Sequence, residues 1–183
     1  WREATVFVVW CAVMAACSEP PVKEHDQAVA AVETARTAGA GTYAAEQLTA
    51  ATTALGRYDQ FVAERDYKQA LGAAIEARDL AFDAGRAAKA RQQALAEDVT
   101  RLAALLDANI IAVDADLKTR GRVPARQQAA LKKSRANASL ALQKAREAAT
   151  RGEYTTAIER LNAASADLTT VRDKATAATR KGR

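Results

Sequence analysis

The stretch LAEDVTRLAALLDANIIAVDADL, residues 95–117, decides the fold. Its large apolar side chains recur every three or four residues, which places them along one side of an α-helix. These residues are Leu95, Val99, Leu102, Leu105, Leu106, Ile110, Val113 and Leu117. Weaker seams of the same spacing lie on either side, one of them through Tyr67, Leu71, Ala74, Ile75, Leu80 and Phe82. No stretch alternates with the period of two that a β-strand requires, so the sequence predicts an all-α protein.

Alanine dominates the composition and limits what the helices can build. It accounts for 48 of the 183 residues, whereas aromatic residues make up only 5%. Alanine has the highest helix propensity of all residues, but it buries little apolar area. Because a deep pocket is difficult to build from such helices, we expect thin, closely packed helices and a protein that is not an enzyme.

Four breaks divide the helical sequence, and each has residues typical of helix ends. The breaks lie at residues 39–41, 64–66, 119–124 and 151–152. Glycine at three of them favours the left-handed conformation that ends a helix. Asp66 and Gln69 have the spacing of a capping box, and Pro124 suits the first position of a helix. Between Asp66 and Lys118 the sequence allows either one long helix or a kink near residues 91–97.

An internal repeat relates the two halves of the chain. Tyr67 and Tyr154 are 87 residues apart, and each directly follows an acidic residue. After each tyrosine, the third residue is alanine and the fourth is a large apolar residue. We therefore expect an elongated antiparallel helical bundle of two tandem helical-hairpin units, preceded by an N-terminal signal helix. The first unit is predicted over residues 24–91 and the second over residues 92–183.

The segment before these units resembles a bacterial lipoprotein signal peptide. An apolar run of 14 residues from Ala4 to Cys17 follows Arg2, and it is shorter than the roughly 20 residues that cross a bilayer as a helix. Its end, Met14-Ala15-Ala16-Cys17, resembles the lipobox, in which small residues precede the cysteine that is lipidated. Glu3 departs from the pattern, and because the chain begins with Trp1 we expect further residues before it.

The resemblance implies how the mature chain is attached and where it lies. Residues 1–16 would be removed, Cys17 would carry the lipid, and residues 17–23 would form a tether. Ser18 resembles the signal for sorting to the outer membrane, which implies its periplasmic face. The partners expected are the membrane, through the lipid, and an envelope protein or cell-wall polymer, with neither nucleic acid nor a small-molecule substrate. Without the resemblance, the segment is a buried helix or an uncleaved anchor with Cys17 as an ordinary thiol.

The turns of the repeat carry a second resemblance. RGEYTTAI (residues 151–158) and RDYKQAL (residues 65–71) look like the turn and second helix of tetratricopeptide hairpins, although the period differs from 34 residues. They are more similar to a family of bacterial lipoproteins with an alanine-rich helical domain of unknown function. This resemblance covers residues 24–178, and it implies an envelope lipoprotein.

Charge is divided unevenly along the chain. Residues 18–117 contain 10 Lys/Arg and 16 Asp/Glu, whereas residues 118–183 contain 16 and 5. The stretch 118–146 is basic and free of acids. It indicates either a solvated cationic face, contact between neighbouring molecules, or binding of lipid head groups, lipopolysaccharide phosphates or peptidoglycan carboxylates. The candidate anion-binding residues are Arg126, Lys132, Lys133 and Arg135.

Residue types that support catalysis or metal binding are scarce. The one histidine, His25, lies beside Asp26 near the start of the first helix, where we expect a solvated side chain rather than a general base. With one histidine and no cysteine beyond Cys17, neither a zinc site nor any cofactor is predicted. Asp114 and Asp116 are two residues apart on a helix and therefore do not face each other.

Overall fold

The computed structural model describes residues 19–119 and 123–181, with side chains as far as residue 178. In these residues it has six helices and no strand, which confirms the predicted all-α class. The predicted signal helix lies outside the described residues. The helices are α1 (Val22–Thr37), α2 (Ala40–Tyr43), α3 (Ala45–Ala63), α4 (Tyr67–Lys118), α5 (Ala125–Thr150) and α6 (Tyr154–Lys181).

The long helix α4 is continuous from Tyr67 to Lys118, so the kink that the sequence allowed near residues 91–97 does not divide it. Its two glycines, Gly72 and Gly85, lie inside the helix. Each costs on the order of 1 kcal/mol relative to alanine, which is too little to end a helix whose apolar seam continues on both sides.

The chain forms two compact units, which divide between Lys89 and Ala90, close to the predicted boundary after residue 91. The first unit contains α1, α2, α3 and the start of α4, and the second contains the rest of α4 with α5 and α6. Apart from the four-residue helix α2, each unit therefore has one helix more than a hairpin. Helix α1 packs on the α3–α4 hairpin, and the last part of α4 packs on the α5–α6 hairpin.

Alanine forms most of the core of the first unit. Each layer brings together one alanine from α1, one from α3 and one from α4, and the layers are Ala28–Ala54–Ala77 and Ala31–Ala51–Ala81. From the first of these layers to the second, the residue number increases in α1 and in α4 and decreases in α3. Helix α1 is therefore parallel to α4 and antiparallel to α3.

The stripe of α4 that is buried in the first unit matches the expected seam only in part, since Ala74 is fully buried. Leu71, Ile75 and Phe82 were predicted to lie in a seam, but they are 37%, 38% and 48% exposed. Alanines occupy the buried positions of α4 instead. The reason is that α1 and α3 also present alanine, so the three backbones approach closely and leave no room for larger side chains between them.

Large aliphatic side chains form the core of the second unit. Leu106 of α4, Leu131 of α5, and Leu161 and Leu168 of α6 are fully buried in one cluster. Each such side chain contributes about 1.5–3 kcal/mol on burial, which is more than an alanine contributes. Leu105, which belonged to the predicted seam, is exposed because Leu106 takes the core position beside it.

The turns of the two hairpins have the same backbone hydrogen bonds, 87 residues apart. In the first turn, Asp66 N donates to Phe61 O and Arg65 N donates to Val62 O. In the second turn, Glu153 N donates to Ala148 O and Gly152 N donates to Ala149 O. All four bonds are 2.9–3.0 Å long. They form the Schellman pattern, in which one residue takes the left-handed conformation. That residue is Arg65 in the first turn, with φ 60°, and Gly152 in the second, with φ 78°.

Most of the predicted helix ends are present. Gly39 is left-handed with φ 86°, and the Oδ1 atom of Asp66 accepts a hydrogen bond from the backbone N of Gln69 at 3.1 Å. Pro124 precedes the first residue of α5 instead of occupying that position. These local signals therefore located the ends of the helices to within about one residue.

Candidate cationic surface on α5

The predicted lipid attachment site, Cys17 with Met14, Ala15 and Ala16, lies outside the described residues. The described chain nearby shows how short the connection to the helices is. Helix α1 begins at Val22, directly after Pro21 and inside the tether predicted over residues 17–23. Four residues therefore separate Cys17 from the first helix.

Helix α5 turns one side to the core and the opposite side to solvent. Its buried residues recur every three or four positions: Leu131, Ser134, Ala138, Leu142, Ala145 and Ala148. The basic residues fall between them, and five of these are exposed: Arg126, Lys132, Lys133, Lys144 and Arg146. Arg146 lies directly beside Glu147, at the end of the basic stretch. We define the cationic face as Arg126, Lys132, Lys133 and Lys144.

The charges of the cationic face are not neutralised by carboxylates. Within the part of the chain that the structure describes, none of its four side chains forms an ion pair. Two exposed arginines of the first unit differ, since Arg36 pairs with Glu33 and Arg57 pairs with Glu76. The sequence of α5 accounts for the difference, because residues 125–146 contain no acid, and Glu147, one turn beyond Lys144, accepts a hydrogen bond from Gln143 instead.

Arg135, the fourth predicted anion-binding residue, is not part of this face. Its guanidinium donates two hydrogen bonds to Asp114 of α4, from Nε to Oδ1 at 3.0 Å and from Nη2 to Oδ2 at 2.9 Å. These bonds lower the pKa of Asp114 and raise the pKa of Arg135. Because the bidentate pair occupies the guanidinium, Arg135 joins α4 to α5, and we remove it from the candidate set.

An exposed leucine lies among the charges of the cationic face. Leu140 is 50% exposed. Arg126, Lys133 and Leu140 recur every seven residues, which is about two turns of helix, and Lys144 follows one turn later. From Arg126 to Lys144 this stripe extends about 27 Å at 1.5 Å per residue. Sequence reasoning missed Leu140, although its position outside the seam of Leu131, Ala138 and Leu142 was visible.

Two polar contacts join the three helices of the second unit to one another. Arg172 Nε on α6 donates to Asp116 Oδ2 on α4, and Ser134 Oγ on α5 donates to Asp167 Oδ2 on α6, both at 2.7 Å. Ser134 occupies a core position, so its hydroxyl requires a partner there. Asp114 and Asp116 contact different helices, as expected of residues two positions apart.

His25, predicted to be solvated, is half-buried and stacks on a tyrosine. Its ring centroid lies 4.5 Å from that of Tyr58, with 25° between the ring planes. Tyr58 is buried, and this burial raises the pKa of its phenol. The prediction of a solvated histidine was wrong because a contact between α1 and α3, 33 residues apart in sequence, covers the ring.

The first unit also has an open groove of about 510 Å³ between α1 and α4. Ala30 and Ala31 supply apolar surface, Arg78 and Asp79 line it with charge, and the half-exposed Phe82 adds an aromatic ring. Arg78 and Asp79 pair with each other at 2.9 Å. The groove therefore differs from the cationic face, since its arginine is neutralised.

Comparison with protein-family models, with curated proteins and with solved structures found no match. In the described residues, no helix has the length and apolar character needed to cross a bilayer. The same residues contain no group of three or more His, Cys, Asp or Glu side chains placed to hold a metal ion. The lipobox-like sequence and the cationic face are therefore the features of this chain that bear on its function.

Proposed function

We propose that this protein is a lipid-anchored bacterial envelope lipoprotein that acts as a non-catalytic structural or adaptor module. The observation that carries the proposal is Met14-Ala15-Ala16-Cys17, followed after four residues by the first helix at Val22. A lipid on Cys17 would hold the first unit close to the membrane surface. Since one acyl chain binds a bilayer only marginally, we expect several acyl groups.

The packing of the first unit supports a structural role. Its core consists of alanine layers shared by three helices, which hold the backbones close together. The two units repeat the same turn and present several long helix surfaces. Ser18 points to the periplasmic face of the outer membrane, where an envelope protein or cell-wall polymer is the expected partner.

Substitution of the two cysteines tests this proposal. We expect Cys17→Ser to remain unprocessed and to carry no lipid, because serine offers no thiol for the lipid. Cys11→Ser is the matched control, since Cys11 lies inside the segment that is removed, and it should be processed and float with membranes like the wild type. Equal processing of both variants on a gel would refute the lipoprotein proposal.

Binding of anionic envelope material is a second candidate function. The exposed and unneutralised side chains of Arg126, Lys132 and Lys133 favour it. Reversal of these three charges should abolish sedimentation with isolated envelope material at low salt, whereas reversal of the exposed lysines Lys68, Lys89 and Lys174 should not. The wild-type interaction should weaken as salt shortens the Debye length from about 10 Å at 0.1 M to about 3 Å at 1 M.

A further inference from the structure

We propose that the cationic face of α5 lies on the phosphate-bearing surface of a lipid bilayer, with Leu140 inserted among the lipids. This inference rests on the proposed function, since the lipid on Cys17 would bring the protein to a membrane. It goes further by choosing one of the three anionic materials that the basic sequence left open and by adding an apolar contact.

The combination of charge and exposed apolar surface favours a bilayer. Leu140 is half exposed, and Lys133 and Lys144 lie on the same stripe before and after it. A helix that lies in a membrane interface combines cations that reach the head groups with apolar side chains that enter the acyl boundary. The outer side of α5 has the cations, and Leu140 is its large exposed apolar side chain. Peptidoglycan carboxylates would satisfy the cations, but they offer no apolar environment for the leucine.

The positive charge is uninterrupted along the stripe. The acid that ends the basic stretch, Glu147, accepts a hydrogen bond from Gln143 Nε2 at 3.0 Å, three residues beyond Lys144. Asp114 lies against Arg135 and not against the cationic face. Each lysine or arginine near an anionic membrane strengthens binding about fivefold. Loss of Lys132 and Lys133 should therefore weaken the contact about 25-fold or more.

A fluorophore at position 140 tests the contact directly. The full lipidated protein with Leu140→Cys is labelled with an environment-sensitive dye and bound to vesicles. Because Cys17 is acylated, the thiol introduced at position 140 is the one that the dye modifies. One set of vesicles is phosphatidylcholine alone, and the other is an equimolar mixture with phosphatidylglycerol. We expect a blue shift and a gain in intensity only with the anionic vesicles, reversed at high salt.

Two controls restrict the result to the cationic face. A dye at the exposed Ile111 of α4, introduced by Ile111→Cys, should show no shift in either vesicle. Lys132→Glu with Lys133→Glu should abolish the shift at position 140, whereas Lys68→Glu with Lys174→Glu, an equal change of charge, should keep it. Circular dichroism of each variant confirms that the helices are intact.

The outcomes separate this inference from the proposed function. A protein that floats with both kinds of vesicle but shows no shift at position 140 keeps its lipid anchor and overturns the inference. Equal shifts at positions 111 and 140 also overturn it, because the contact would then not belong to the cationic face. A protein that floats with neither kind of vesicle refutes the lipid anchor itself.

Discussion

Arg172 Nε lies 2.7 Å from Asp116 Oδ2, and this bond joins α6 to α4 through a carboxylate that is only 5% exposed. A buried carboxylate is costly unless it is hydrogen-bonded and paired with a cation. The two residues are 56 positions apart in sequence. Their pairing therefore specifies how α4 and α6 align in the second unit.

Removal of this arginine should destabilise the second unit. Arg172→Ala takes away a charge-assisted donor to Asp116, and we expect a loss of about 1.5–3 kcal/mol in the free energy of unfolding. The control Lys174→Ala removes an exposed cation two residues away and should change stability by less than about 0.5 kcal/mol. Urea unfolding of both variants measures the difference. Equal effects would mean that the Asp116 contact adds no stability.

Acid should weaken the Asp114–Arg135 pair. The hydrogen bonds from Arg135 lower the pKa of Asp114 in the folded protein, so the folded state binds this proton less readily than the unfolded state. The stabilisation is therefore present above the unfolded aspartate pKa of about 3.9 and is lost as the pH falls through the folded value.

Asp114→Asn tests this dependence on pH. It should lower stability at neutral pH. On acidification below the unfolded aspartate pKa of about 3.9, it should lose less stability than the wild type, because the wild type loses the Asp114–Arg135 pair there. Asp107→Asn, an exposed position on the same helix, should follow the wild type. The measurement is the urea midpoint as a function of pH. An unchanged pH dependence in Asp114→Asn would contradict the role assigned to the pair.

The alanine layers of the first unit should not accept a larger side chain. Ala54 is fully buried between Ala28 and Ala77, so Ala54→Leu should cost about 1–3 kcal/mol through overpacking. Ala50→Leu places the same side chain on the exposed side of α3 and should be close to neutral. Thermal unfolding of the two variants compares them. A neutral Ala54→Leu would show that the layers are loosely packed.

One substitution should have opposite effects at two glycines. Gly152 has φ 78°, so Gly152→Ala forces alanine into a left-handed conformation and should cost about 1 kcal/mol. Gly56 lies inside α3, with open space around an added Cβ atom, so Gly56→Ala should gain about 0.5–1 kcal/mol. Stability changes of the same sign, measured by chemical unfolding, would contradict the assignment of the hairpin turn.

Local chemistry made the helix ends and the repeat predictable from sequence. Gly39, Asp66 and Gly152 act on the backbone within one turn of their own positions, so their effects do not depend on distant partners. The spacing of the two tyrosines located both hairpin turns for the same reason. The continuity of α4 needed the structure, because its glycines are compatible with either a helix or a kink.

Contacts between distant helices set the features that sequence reasoning missed. The alanines that α1 and α3 present decide which side of α4 is buried in the first unit. The large residues at positions 71, 75 and 82 were predicted to be on that side, but they are exposed. The stacking of His25 on Tyr58 and the pairing of Arg135 with Asp114 arise in the same way. The Lys and Arg positions of the cationic face were found, but its exposed Leu140 was not.

Intact mass spectrometry of the native protein, purified from the membrane fraction of its own cells, tests the central claim most directly. The lipoprotein proposal predicts a chain that begins at Cys17 and carries the added mass of several acyl groups. A chain that retains residues 1–16 and has an unmodified Cys17 would contradict it.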